Sequence, residues 1–199
     1  MSPVQSIAIL PAAGRSRRMG QPKLLLPWRG ASVLEHVLAT WRASRVTHVV
    51  LVIRSEDNAL AEIARRQRVE VVRVDPPPPH MKDSVLAGLD FAQRTYAPAA
   101  TDVWLLAPAD TPRLSARVIN QVLDAHDPAR PEILTPRHGD RNGHPVLFPW
   151  PLAAHVATLG PDEGINVLRS RLPHRSVLTD DPTITDDLDT PDDYQRLIE

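Results

Sequence analysis

Three arginines and a lysine share one loop near the start of the chain, Leu10-Pro11-Ala12-Ala13-Gly14-Arg15-Ser16-Arg17-Arg18-Met19-Gly20-Gln21-Pro22-Lys23. Small residues let backbone N–H groups approach an anion closely, and fixed cations neutralise its charge. With the Ser16 hydroxyl among them, this is chemistry for a polyphosphate. It is neither of the commonest phosphate loops. The Walker pattern places its lysine directly after the second glycine, and here Gln21 and Pro22 intervene. The dinucleotide pattern G-x-G-x-x-G is absent as well. The chain has 21 arginines and only two lysines, Lys23 and Lys82. A lysine kept at position 23 suits a site that needs a compact ammonium rather than a planar fork.

Other segments carry chemistry too. Asp110, in Ala107-Pro108-Ala109-Asp110-Thr111-Pro112, follows the apolar run Val103 to Ala107. A lone carboxylate at the carboxyl end of a buried strand is placed to hold a hard cation. Mg²⁺ is usually held by one or two carboxylates plus substrate phosphates. The plainer reading is a turn aspartate before a proline. Towards the end lies Asp186-Asp187-Leu188-Asp189-Thr190-Pro191-Asp192-Asp193. Thr190 reads as an N-cap and Pro191 as the first helical residue, with Asp192 and Asp193 favourable in the first turn. Asp187 and Asp189 lie before that cap and are not explained by it. Ser84, after Met81-Lys82-Asp83, reads as the N-cap of a helix carrying Val85, Leu89 and Ala92, whose N-terminus would offer N–H groups to a ligand. Gly143-His144-Pro145-Val146-Leu147-Phe148 reads as the start of a strand, and His144 stands out among the eight histidines. No histidine pair has zinc-ligand spacing with a third ligand.

The elements that must position these residues alternate. Ile7 to Leu10, Val46 to Ile53, Val69 to Val74 and Val103 to Ala107 are apolar runs of the kind seen in buried parallel strands. Between them lie helical patterns: Val33, Leu34, Val37, Leu38 and Trp41 behind a Ser32–Glu35 capping box; Leu60, Ile63 and Ala64; and Val118, Ile119, Val122 and Leu123. This alternation implies an α/β fold with a mainly parallel sheet and helices on both faces. Ligands of such sheets bind beyond the carboxyl ends of the strands, where the opening loop falls. After about residue 130 the alternation becomes irregular. We read 1–199 as a single domain, with 1–130 as a nucleotide-binding half and 131–199 as an acceptor-binding half.

Composition restricts the function classes. The formal net charge is −1, and no basic tail or stripe is visible, so neither a polynucleotide nor an anionic membrane is an expected partner. No apolar run reaches membrane-spanning length, and the N-terminus leads directly into a strand; a cytoplasmic location is expected. There are no cysteines, which excludes disulfides, thiolate catalysis and Cys-ligated zinc.

From residue 7 to residue 194 the chain resembles nucleotidyltransferases of the GT-A type. Their signature Leu-x-x-Gly-x-Ser-x-Arg-Met-Gly-x-x-Lys is matched by Gly14, Ser16, Arg18, Met19, Gly20 and Lys23. Within that family the chain is similar to the molybdenum cofactor cytidylyltransferase-like, or MobA-like, branch. The Asp-x-Asp-Thr-Pro ending and the run Gly143 to Phe148 match it. There are departures. His80 stands where relatives often have glycine, Lys82 and Asp83 replace small residues, and Asn166 stands where the family's Gly-Asp-x-Gly-Ala-Arg carries arginine.

The resemblance implies a three-layer, Rossmann-like sheet of the nucleotide-diphospho-sugar transferase type. It implies attack by an acceptor phosphate on the α-phosphate of a nucleoside triphosphate, with Mg²⁺ as cofactor and pyrophosphate released. Arg18, Lys23 and Asp110 would be catalytic. Leu10, Ala12, Ala13, Gly14, Ser16, Met81 and Ser84 would bind the nucleotide, His144 the acceptor, and Asp110 with Asp189 the metal. Ala13 occupies the place of a second glycine in guanylyl-transferring relatives, which favours CTP. The implied acceptor is a molybdopterin-type phosphate, and the implied partners are a molybdoenzyme or its chaperone. A sugar or polyol phosphate is the alternative acceptor. A non-catalytic nucleotide-binding regulator is the alternative of another class, against which Asp110, Lys23 and Arg18 argue.

Overall fold

The computed structural model describes residues 4–198. The chain runs β1 (Ser6–Pro11), a 3-10 turn (Lys23–Leu25), a small hairpin of β2 (Pro27–Trp28) and β3 (Ala31–Ser32), α1 (Val33–Ala43), β4 (His48–Arg54), α2 (Asn58–Arg66), β5 (Glu70–Val74), α3 (Met81–Tyr96), β6 (Val103–Leu106) and α4 (Ala116–Asp124). It continues through β7 (Ile133–His138), β8 (Arg141–Asn142), β9 (Val146–Pro149), α5 (Ala153–Val156), α6 (Val167–Arg171), β10 (His174–Leu178) and α7 (Pro191–Ile198). The main sheet has the order β10-β7-β9-β6-β1-β4-β5, with β8 paired to β7.

β1 is central because its side chains are buried on both faces. Ala8 and Leu10 join Leu51, Ile53, Val103 and Leu105 under α1, α2, α4 and α7. Ile7 and Ile9 join Val50, Val52, Trp104 and Leu106 under α3, α5 and α6. This is the expected three-layer α/β fold with helices on both faces. Full burial of side chains such as Leu38 or Ile9 contributes about 1.5–3 kcal/mol each. Gly88 lets α3 lie close to the sheet, for a Cβ there would come within 2.8 Å of the Ile9 side chain.

The structure departs from the sequence reading in several places. Val69–Val74 is not an inner strand: β5 closes one edge of the sheet, with Glu70 and Arg73 exposed. Ser84 is not the N-cap of α3. The helix starts at Met81, and the His80 amide donates to the Asp83 carboxylate at 3.0 Å. The irregularity after residue 130 comes from β9, which runs antiparallel between β6 and β7. The two halves therefore share one sheet. The α7 N-terminus forms as read, with Thr190 and Asp193 capping each other's amides at 3.0 and 3.2 Å.

Several loops meet at the carboxyl end of β1 and are pinned by backbone hydrogen bonds. The Ala12 amide donates to Val52 at 2.8 Å, the Ala109 amide to Pro11 at 3.3 Å, and the Leu188 amide to Asp110 at 2.9 Å.

Candidate active site

The loop after β1 turns on backbone that only certain residues adopt readily. Gly20 has φ +72° and Ser16 φ +48°, and the Met19 and Gly20 amides both donate to the Ser16 carbonyl. A glycine at position 20 relieves the strain a side chain would add there. A Cβ on Gly14 would meet nothing within 4 Å, so this stretch of backbone faces open space from which an anion can approach.

That space is a cavity of about 310 Å³, walled by Ala12, Ala13, Gly14, Ser16, Arg18 and Lys23 from the loop, by His80, Met81 and Ser84 from α3 and its lead-in, and by Asp110 and Asp189. All the residues read as nucleotide-binding or catalytic meet here except Leu10. Its side chain is fully buried in the core beneath α1, and it does not line the cavity. Lys82 also turns away: its ammonium donates to the Gly160 and Pro161 carbonyls, the latter at 2.9 Å. The charged residues after Met81 therefore do not enter this cavity. Asp83 caps α3, and Lys82 fastens it to the loop before α6.

Lys23 is the charge centre. Its Nζ pairs with Asp110 and, at 3.0 Å, with Asp189; Arg18 holds the other Asp189 oxygen at 2.9 Å. Burial alone would lower the Lys23 ammonium, but the paired carboxylates hold it above its ordinary value. A compact ammonium fits between two carboxylates where a guanidinium fork would not. Asp110 Oδ1 is buried and has no hydrogen-bond partner among the described residues. An orphaned carboxylate oxygen beside a second carboxylate, facing a phosphate-type loop, fits a hard divalent cation. Among the described residues no group of three or more His, Cys, Asp or Glu side chains could hold a metal ion on its own. A cation here would draw its remaining ligands from water and substrate.

A second cavity, of about 440 Å³, adjoins the first, and Met81, 48% exposed, lines both. His144 lies in this second cavity with Asn166, Arg169, Thr185 and Asp187 over an apolar floor of Leu106, Val146 and Phe148. Burial pushes the His144 imidazole below its ordinary value, Arg169 adds to that, and Asp110 opposes it. Its Nδ1 has no partner among the described residues. Gly143 is required beside it. A Cβ there would fall 2.1 Å from the Ile184 carbonyl oxygen, which itself accepts from the His144 amide at 2.8 Å.

Asp187 has a place of its own. It lines the second cavity, while Asp189, two residues on, lines the first. Burial raises its carboxyl to about 6, and the charges of Asp110 and Asp189 add to the rise. The sequence signalled it only as acidity that the α7 cap left unexplained.

The MobA-like NTP transferase domain model matches residues 8–177 of the chain. The chain belongs to the MobA-like NTP transferase family. It is a nucleotidyltransferase of that family, as the loop and the carboxylates read. It is similar to the nicotine blue oxidoreductase of Paenarthrobacter nicotinovorans, at 30% identity over 96% of this chain and 95% of that protein. It is similar to the molybdenum cofactor cytidylyltransferase of Escherichia coli K12, at 26% identity over 94% of this chain and 92% of that one. Among solved structures it resembles Rv0371c of Mycobacterium tuberculosis H37Rv, at 30% identity and TM-score 0.80 with 98% of each chain covered. That protein has also been solved in complex with manganese. Among the described residues no helix is long and apolar enough to cross a membrane.

Proposed function

We propose that this MobA-like nucleotidyltransferase uses CTP and Mg²⁺ to transfer a cytidylyl group to a phosphorylated small-molecule acceptor, releasing pyrophosphate. The observation that carries this reading is Lys23 seated between Asp110 and Asp189 at the mouth of the Gly14–Gly20 loop. The loop amides, Gly14 and Ser16 would orient the triphosphate. Lys23 and Arg18 would meet the negative charge that grows on the departing pyrophosphate. An ionised acceptor phosphate is already nucleophilic, so the reaction needs positioning rather than proton abstraction. Asp110 and Asp189 would hold Mg²⁺, which when bound neutralises phosphate charge and polarises the phosphoryl group under attack. That the related Rv0371c has been solved in complex with manganese supports the use of a divalent cation.

Ala13, only 7% exposed on the cavity wall, supports CTP by narrowing the space open to a base. The likeness to a molybdenum cofactor cytidylyltransferase supports the same choice and favours a molybdopterin-type acceptor over a sugar or polyol phosphate. Pyrophosphate release tests the reading. The protein is incubated with Mg²⁺, CTP or GTP, and candidate acceptor phosphates, beside Asp110→Asn. Release with CTP that Asp110→Asn lowers about 10²-fold or more supports the proposal. No release with any pair, or the wild-type rate in Asp110→Asn, rejects it.

A further inference from the structure

Among the described residues four arginines are partly buried: Arg54, Arg113, Arg137 and Arg169. Three of them hold a carboxylate. Arg54 pairs with Asp57 at 2.6 Å, Arg113 with Asp186 at 3.2 Å and Arg137 with Asp140 at 3.0 Å. The Arg169 guanidinium has neither an ion pair nor a hydrogen bond among the described residues. It lines a cavity without a counter-ion, so an arriving anion would meet an uncompensated cation there.

Its surroundings say where that anion would come from. Arg169 lines the 440 Å³ cavity together with the apolar Leu106, Val146, Phe148 and Ile165. His144 Nδ1, Thr185 Oγ1 and Asp187 Oδ1, all in residues of this cavity, are buried and unpartnered among the described residues. The cavity's one carboxylate, Asp187, makes no ion pair with Arg169. His144 feels the charge of both Asp110 and Arg169. The cavity thus combines one carboxylate, one cation and an apolar floor. Asn166 and Arg169 both line it and are three residues apart, a spacing that places side chains on one helical face.

We propose that Arg169 is a specificity-determining residue of the acceptor cavity, binding an oxyanion carried on an apolar body. The inference rests on the proposed function only in naming that ligand the acceptor. Phosphate and carboxylate share the chemistry, and a guanidinium fork binds either through paired hydrogen bonds.

Ligand-observed NMR titration of the full chain with phenyl phosphate, benzoate and phenol tests it, with CTP and Mg²⁺ binding measured on the same samples. At least one of the two oxyanions should bind, and phenol at least about 10-fold more weakly, because the charged contact carries the affinity. Which oxyanion binds tells phosphate from carboxylate. Arg169→Ala should lose about 10-fold in that affinity while keeping its melting temperature. Arg169→Lys should recover part, and Asn166→Arg in the Arg169→Ala background should recover more. Binding of neither oxyanion, equal binding of phenol, or unchanged affinity in Arg169→Ala overturns the inference. If CTP binds while the oxyanion contact is independent of Arg169, the proposed function survives and this inference fails. If CTP does not bind while the Arg169-dependent contact is present, the reverse holds.

Discussion

The Leu188 amide donates to the Asp110 carbonyl at 2.9 Å, and this hydrogen bond docks the acidic C-terminal segment on the loop after β6. Leu188 itself is fully buried in the core. Its neighbours are thereby held on either side, Asp189 towards the first cavity and Asp187 towards the second. The carboxylates of the site are set by a core residue and a main-chain bond, and Lys23 is drawn in between Asp110 and Asp189.

Lys23 should therefore act on the transition state more than on the bound triphosphate. Charge on the departing pyrophosphate grows as the bond to the α-phosphate breaks, and an ammonium held at that spot gains interaction as it does. Lys23→Ala should lower kcat about 10²-fold or more while weakening CTP binding only modestly. Steady-state kinetics beside direct binding on the same variant measures the split. An unchanged kcat with a raised KM would leave Lys23 as an anchor only.

Gly143→Ala should destabilise the protein and disturb His144. The added methyl would meet the Ile184 carbonyl at 2.1 Å, a backbone atom that cannot rotate away. The cost should be at least about 2 kcal/mol, and the melting temperature should fall by roughly 5 °C. Thermal unfolding followed by circular dichroism checks this. A melting temperature equal to wild type would show that the 184–186 turn yields freely.

What the sequence made legible was local. The phosphate loop, the Ser32–Glu35 capping box and the Thr190–Pro191 helix start each lie within a few residues, and their chemistry is readable from types and spacing. What it hid was non-local. Lys23 and Asp189 are 166 positions apart, and no local signal announces their contact. β9 is apolar along its whole length, so the run does not reveal that it lies antiparallel between neighbours. Ser84 drew the cap reading because serine is a good N-cap, yet the helix begins earlier because Asp83 can reach the His80 amide. Leu10 leads into the loop but serves the strand, its side chain buried in the core. Arg169 sits in no motif, and only the cavity around it and its lack of a carboxylate distinguish it from the other arginines.

Asp187 gives a pH signature. Its carboxyl is raised from an ordinary 3.8 to about 6, by burial and then by Asp110 and Asp189. The folded state thus binds the proton more tightly than the unfolded state, so between about pH 4 and 6 stability falls as pH rises, and above that the loss is complete. Asp187→Asn removes the ionisation. It should raise stability by on the order of 1 kcal/mol at pH 8, a figure held down by the solvent access of a partly exposed group, and by almost nothing at pH 4. Melting curves across that range, in metal-free buffer, measure it. A gain independent of pH would show that Asp187 stays ionised with no cost.

Lys82 gives the last prediction. It is a buried lysine, 8% exposed, whose ammonium joins the first turn of α3 to the Gly160 and Pro161 carbonyls. The loop so held continues through Glu163, which accepts from the Gly160 amide at 2.8 Å, to Asn166 and Arg169 on the acceptor wall. Lys82→Met keeps most of the apolar stem and removes the donors. Hydrogen bonds from a charged donor contribute about 1.5–3 kcal/mol when buried, and less where water can replace them, as at the exposed Pro161. The variant should lose about 1–2 kcal/mol locally, speeding amide exchange in the 160–168 segment about 10-fold. Exchange in β1 and β4 should be unchanged, because the core does not depend on this strap. Nucleotide affinity should also be retained, since Lys82 does not line that cavity. Hydrogen-exchange mass spectrometry beside CTP titration reads both. Faster exchange throughout the protein would make Lys82 a global stabiliser, and no change in the 160–168 segment would mean that the acceptor wall is held by the Glu163–Arg171 pair alone.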